Sequence, residues 1–290
     1  MNGSYSPSPV SLQYTAPPED LRNHFGSLYL FRSDLPEYSD VTRADFAQLR
    51  LMLTGNGNYY FSDGNVRPTP GACLLGPTQG ATRFHLHAPA MVVGISLLPL
   101  GWIALTGLDA DDYTDGLADM TSISEEYSEL QDELRASGAS DAAAVGAIIW
   151  PFLRTRLTEI SGHVRQFLDD VDQWLAGDES PQVDALAEKT NLSPRQVARL
   201  TNRYYGAAPK QLARKFRALR CAAKIAIDQT PWQELCDDST FYDQSHFIRE
   251  IKHFIGLTPH QLMTSPTEVA RLTLQRRELL HNAAPIQRIS

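Results

Sequence analysis

Short apolar runs broken by turn residues occupy the first third of the chain: Leu28-Tyr29-Leu30-Phe31, Leu51-Met52-Leu53, Asn58-Tyr59-Tyr60-Phe61 and Cys73-Leu74-Leu75. Between them, Thr54-Gly55-Asn56-Gly57 and Ser62-Asp63-Gly64-Asn65 supply residues that tolerate left-handed backbone, so the runs read as strands joined by tight turns. Strands this short and this regularly punctuated predict a small β-sandwich or barrel. Ala88 to Leu108 carries no charge over 21 residues, about the length of a membrane span. Pro89, Gly94, Pro99 and Gly101 interrupt it, so Val93-Gly94-Ile95-Ser96-Leu97 reads as a buried strand entering a turn at Leu98-Pro99, and no membrane contact is expected.

Beyond this stretch the period changes from two to about three and a half. Ser124 to Arg135 is acidic and mostly polar, whereas Val145, Ile148, Ile149, Phe152, Leu153, Leu157 and Ile160 line one helix face. Packing against the neighbouring domain would cover that stripe, and so would a helix-pair dimer seam. Val164, Phe167, Leu168, Val171, Trp174 and Leu175 mark a further amphipathic helix, ended by Gly177 and Asp178-Glu179-Ser180-Pro181.

The second half contains an internal repeat. Leu186-Ala187 and Asn191-Leu192 correspond to Leu235-Cys236 and Thr240-Phe241; further on the offset settles at 50, pairing Val197 with Phe247, Arg199 with Arg249, Tyr204 with Phe254, Gly206 with Gly256 and Pro209 with Pro259. Each copy reads as a short helix, a tight turn and a second helix opened by a capping residue: Ser193 followed by Pro194 in the first, Asp243 in the second. Ala187 and Cys236 are small where the two helices cross, which is the steric requirement of a helix-turn-helix. Val197 and Leu200 face inward on the first recognition helix, leaving Arg195, Gln196, Arg199 and Arg203 outward. On the second, Phe247, Ile251 and Phe254 face in and Gln244, Ser245, His246, Arg249 and Lys252 face out. Arg can chelate guanine O6/N7 and Gln can read adenine N6/N7, although solvated helix faces carry the same residues. Leu212, Phe216, Leu219, Ala223 and Ile227 predict one helix from about Pro209 to Asp228, about 30 Å long. That is close to the roughly 34 Å separating successive major-groove faces.

Charge and cysteine usage refine the picture. The 290 residues have a formal net charge of −8, but residues 1–180 hold 24 acidic and 10 basic residues while residues 181–290 hold 10 acidic and 16 basic. Only the repeated half suits a polyanion. Cys73, Cys221 and Cys236 form neither a disulfide framework nor a close zinc pair, which points to a reducing, cytoplasmic setting.

The segments Leu192-Ser193-Pro194-Arg195-Gln196-Val197-Ala198-Arg199-Leu200 and Phe241-Tyr242-Asp243-Gln244-Ser245-His246-Phe247-Ile248-Arg249, with Gly256-Leu257-Thr258-Pro259 beyond, resemble the C-terminal DNA-binding domain of the AraC/XylS family of bacterial transcription regulators. The resemblance spans roughly His163 to Met263 and implies seven helices forming two helix-turn-helix motifs joined by a long helix. It places base-contacting positions on Arg195, Ala198 and Arg199, and on Gln244, Ser245, His246 and Arg249. Gln196 is added to the base-reading set from its outward position, and Arg203, Lys210, Lys215 and Lys252 are expected on phosphates. Two departures stand out. Thr240 occupies a turn position where the family usually has Gly, which predicts a remodelled turn, and Thr201 replaces a usual Phe, thinning the core.

Phe61-Ser62-Asp63-Gly64, Leu75-Gly76-Pro77-Thr78 and Val93 to Gly101, followed by Leu105-Thr106-Gly107, resemble the cupin-like N-terminal domain of some AraC-type regulators. The expected fold class is therefore α+β multidomain. Its parts are a flexible arm (1–20), a cupin-like β-rich sensor or oligomerisation domain (21–122), a helical connector (123–162), an all-α double helix-turn-helix domain (163–266) and a tail (267–290). His85-Leu86-His87 is similar to the paired histidines of metal-binding cupins, since alternate strand residues share a side, but positions 88–92 read Ala-Pro-Ala-Met-Val and lack the usual Glu. A metal-dependent cupin enzyme fused to a DNA-binding domain is the competing reading, and a zinc-dependent alkylation-repair regulator conflicts with the lone N-terminal Cys73. The leading reading is a sequence-specific transcription regulator with no catalytic residues, cofactor or metal. Its partners are double-stranded DNA, with RNA polymerase and a small-molecule effector as further candidates, and it acts as a monomer or homodimer.

Overall fold

A computed structural model describes residues 8–177, 180–236 and 241–274. The described residues contain ten strands: β1 (Val10–Thr15), β2 (Phe25–Ser33), β3 (Tyr38–Thr42), β4 (Ala47–Thr54), β5 (Gly57–Tyr60), β6 (Val66–Pro68), β7 (Ala72–Leu75), β8 (Thr82–Leu86), β9 (Ala90–Leu97) and β10 (Leu117–Asp119). They form a six-stranded sheet in the order β1-β2-β9-β4-β7-β10 and a four-stranded sheet in the order β3-β8-β5-β6, with antiparallel pairing throughout the described ladders.

Alternation along the strands divides their residues between two cores. Leu28, Leu30, Leu49, Leu51, Val93 and Ile95 point to one side of the large sheet, where Trp102, Val145, Ile149 and Trp150 cover them. Those covering residues come from α1 (Pro99–Thr106) and α3 (Ala142–Arg154); α2 (Glu125–Ala136) adds Tyr127, Leu130 and Leu134. The stripe at Val145, Ile149 and Leu153 is thus buried intramolecularly against β1 and β2, and residues 123–154 complete the β-domain core instead of forming a separate connector. Tyr29, Phe31, Gln48, Arg50 and Met52 alternate to the other side, facing the small sheet across a cavity. Gly94 pairs directly with Tyr29, whose ring lies where a Cβ would stand.

Two boundaries differ from expectation. Val10–Thr15, assigned to a flexible arm by its Ser and Pro content, forms the edge strand β1 on β2 because Val10 and Phe31 share a small apolar cluster; residues 1–7 of that arm lie outside the described residues. The first part of the expected tail is α11 (Glu268–Leu274), in which Val269 and Leu272 are buried with Phe31 and Leu86 and Val269 N donates to Asp40 Oδ2 at 2.9 Å. The uncharged stretch becomes β9 followed by Pro99 at the start of α1. No helix among the described residues is long and apolar enough to cross a membrane.

The remaining helices are α4 (Gly162–Gly177), α5 (Val183–Thr190), α6 (Pro194–Tyr205), α7 (Pro209–Ala226), α8 (Trp232–Cys236), α9 (Gln244–Ile255) and α10 (Pro259–Thr264). Their core, built on Leu186, Val197, Leu212, Phe216, Phe247, Ile251 and Phe254, is continuous with Ala44, Phe46, Leu98 and Ile103 of the β-domain.

Candidate nucleic-acid interface

Asn191 ends α5 in the left-handed region (φ 53°), turning the chain into α6. Ser193 caps α6 with a reciprocal box: Ser193 Oγ accepts from Gln196 N at 3.4 Å, and Gln196 Oε1 accepts from Ser193 N at 3.0 Å. In the second motif Asp243 Oδ1 accepts from His246 N at 2.6 Å, opening α9. Trp232 stacks on Phe247 with ring centroids 6.4 Å apart and Phe241 meets the same ring edge-on at 4.8 Å, so the two helices of that motif share an aromatic hinge. The turn position Thr240 lies outside the described residues. Thr201 is fully buried and donates to Ala198 O at 3.2 Å, which satisfies its hydroxyl inside the helix.

The expected base-reading residues divide by environment. Arg195, Arg199, Gln244, Ser245 and Arg249 are exposed, and Ala198 is half-buried beside them. Gln196 is exposed but its amide oxygen is occupied by the cap, so it serves the helix start before it can serve a base. His246 is half-buried, with Nδ1 accepting from Tyr242 N at 3.4 Å and its ring edge-on to Phe241 at 5.9 Å.

Of the phosphate candidates, Lys210 and Lys252 are exposed. Lys215 is not available: it is 2% exposed and its Nζ donates to Asp45 O at 2.7 Å and Thr78 O at 2.9 Å, both in the β-domain. Burial pushes its pKa down to about 8. Position 215 falls inside the stripe formed by Leu212, Phe216 and Leu219, so helical spacing could have placed it inward. Arg203 forms an ion pair with Asp109 at 2.8 Å, again across to the β-domain.

The network behind α9 escaped sequence reasoning. Arg214 grips Glu250 through two hydrogen bonds of 3.0 and 2.6 Å. Burial alone would raise the Glu250 carboxyl, but Arg214 holds it below the usual carboxylate range. The Arg217 guanidinium lies 4.6 Å from the Phe241 ring centre. These contacts fasten α9 to α7, whose 18 residues span about 27 Å. The helix ends near Ala226, and Ile227, expected on its inward stripe, is 37% exposed.

A cavity lies between the two sheets and is bordered by Leu219 and Ala222 of α7, Ile255 of α9, Leu262 of α10 and Val269 of α11. Apolar side chains dominate its wall, yet Arg50 is buried within it. Arg50 Nε donates to Gln48 Oε1 at 2.9 Å and its guanidinium lies 5.1 Å from the Tyr59 ring centre, while no carboxylate among the described residues forms an ion pair with it. His85 on β8 and His87 in the bend just after it sit elsewhere, with rings 4.5 Å apart. Ser39 Oγ lies 2.5 Å from His85 Nδ1 and Asn58 Nδ2 lies 2.7 Å from His87 Nε2. Among the described residues no cluster of three metal-ligating side chains forms there or elsewhere.

Residues 186–265 match the family model described as a helix-turn-helix domain. In overall structure the chain is similar to an apo ToxT variant from Vibrio cholerae (10% identity, 87% of this chain and 100% of that one, TM-score 0.47). It is also similar to unsaturated fatty acid-bound ToxT from the same organism (9% identity, 89% and 95%, TM-score 0.41) and to the AraC-like transcriptional activator CuxR (12% identity, 74% and 88%, TM-score 0.29). Among curated proteins none matches the chain.

Proposed function

We propose that this chain is an AraC-like DNA-binding transcription regulator that reads DNA through residues 186–265, the part that matches a helix-turn-helix domain. Arg195, Ala198 and Arg199 on α6, and Gln244, Ser245 and Arg249 on α9, meet base edges in two adjacent major grooves, with His246 at the edge of the second contact. Lys210 and Lys252 meet phosphates and fix the register. Ala198 offers only a methyl, suited to a thymine methyl. The observation that carries this reading is the exposure of both recognition faces while the opposite side of the same helices is buried in the helical core.

Selection of binding sites from random DNA with the full chain tests it. Arg249→Ala is expected to weaken the selected site by about 1–3 kcal/mol and relax preference at one base pair, whereas Lys252→Ala weakens all sequences alike. Unchanged affinity and preference in Arg249→Ala would remove Arg249 from the readout.

The β-domain is the sensor in this reading, and its effector is a small molecule held in the cavity that α7, α9, α10 and α11 border. Apolar walls around a buried Arg50 that forms no ion pair with a carboxylate among the described residues suit an apolar chain ending in an anion, because a buried guanidinium without a counter-charge is costly. A fatty acid such as the one bound to ToxT belongs to that chemical class. The protein acts in the cytoplasm, as a monomer or homodimer.

A further inference from the structure

The two recognition helices end on the β-domain at equivalent points of the repeat. Gly206 and Gly256, 50 residues apart, cap α6 and α9 in the left-handed region, with φ of 68° and 87°. Gly206 O accepts from Gln79 Nε2 at 3.2 Å and from Thr114 Oγ1 at 3.0 Å. At the end of α9, His253 O accepts from Ala81 N at 2.8 Å and Phe254 O accepts from Ala44 N at 2.6 Å. A Cβ on Gly206 would collide with Thr114 and Pro77, and one on Gly256 would collide with Val41 and crowd Ala81.

Residues 77–81 thus reach three helices within five positions. Pro77 and Gln79 meet the end of α6, Thr78 O accepts from Lys215 on α7, and Ala81 meets the end of α9. The first recognition helix packs more extensively on α1 and the turn at Ala110–Tyr113 than on α7, whereas α9 packs broadly on α7. The placement of α6 relative to α9 therefore runs through the β-domain as much as through the connecting helix.

We propose that the β-domain segment 77–81, with Thr114 and Lys215, fixes the mutual placement of the two recognition helices and so determines which spacing between half-elements the chain accepts on DNA. This rests on the DNA-reading assignment above. One added base pair shifts the second half-element by about 3.4 Å and turns it by about 34°, since one turn of 10–10.5 base pairs spans about 34–36 Å. A rigid pair of helices cannot follow that shift, and a loosened pair can.

The test uses the full chain and a duplex carrying its selected site, alongside duplexes with one base pair added or removed between the half-elements. Wild type is expected to lose at least tenfold in affinity for either change. The triple variant Gln79→Ala/Thr114→Val/Lys215→Met is expected to lose at most about threefold while preferring the same bases in each half-element. Gln79→Ala alone removes one hydrogen bond from a half-buried side chain, keeps the fold, and is expected to give an intermediate penalty. A wild-type penalty in these variants overturns the inference, as does loss of base preference within one half-element, which would mean that the contacts maintain the helices themselves. If wild type selects no sequence at all, both the inference and the reading beneath it fall.

Discussion

Lys215 and Asp172 show how little a residue's type says once its position is buried. Lysine on a basic helix facing a polyanion suggests a phosphate contact, but Lys215 occupies the apolar stripe of α7 and spends its donors on two carbonyl oxygens of the other domain. Asp172, on α4, accepts from Tyr205 Oη at 2.7 Å, and burial pushes its pKa up to about 7. The folded state therefore holds a proton that the unfolded chain releases near pH 4, so this group lowers stability as pH rises from about 4 to about 7 and adds no further dependence above that. Asp172→Asn can still accept from Tyr205. It is expected to flatten the pH dependence across this window and to raise the midpoint of thermal unfolding at pH 8, which a melt series over pH 5–8 would measure. An unchanged pH profile would remove Asp172 as its source.

Elements were legible to the extent that their signals are local. Ser193-Pro194 and Asp243 start helices in the structure as their sequence chemistry requires, and Asn191 adopts the left-handed turn its type favours. Ser193→Ala removes the hydroxyl half of the capping box, leaving the backbone N–H of residue 193 on Gln196 Oε1, and is expected to cost about 0.5–2 kcal/mol of stability, read as a lower midpoint in denaturant. The edge strand β1 and the helix α11 were not legible, because each is stabilised by residues outside its own segment: β1 by its ladder with β2, α11 by Phe31, Leu86 and Asp40. Composition marked both segments as chain ends and carried no sign of those partners.

At the scale of the whole molecule, the acidic first 180 residues and the basic remainder share one continuous hydrophobic core through Phe46 and Phe216, whose rings lie 5.6 Å apart. The same junction borders the cavity, so a ligand there touches α7 and α9 directly. Oleate is expected to raise the unfolding midpoint of the full chain, its methyl ester to do so far less, and Arg50→Met to abolish the difference between the two. Equal shifts from acid and ester in the wild type would exclude Arg50 as the counter-charge.

The sequence alone determined the repeat, the two helix-turn-helix motifs, their caps, their outward arginines and the β-rich character of the first domain, because periodicity, turn chemistry and charge are properties of neighbouring residues. The tertiary structure alone decided that Lys215 and Arg203 turn toward the β-domain, that Arg50 is buried with no ion-paired acid among the described residues, and that residues 77–81 touch three helices. These depend on groups brought together from up to 170 positions apart, and no local pattern encodes which surfaces will meet.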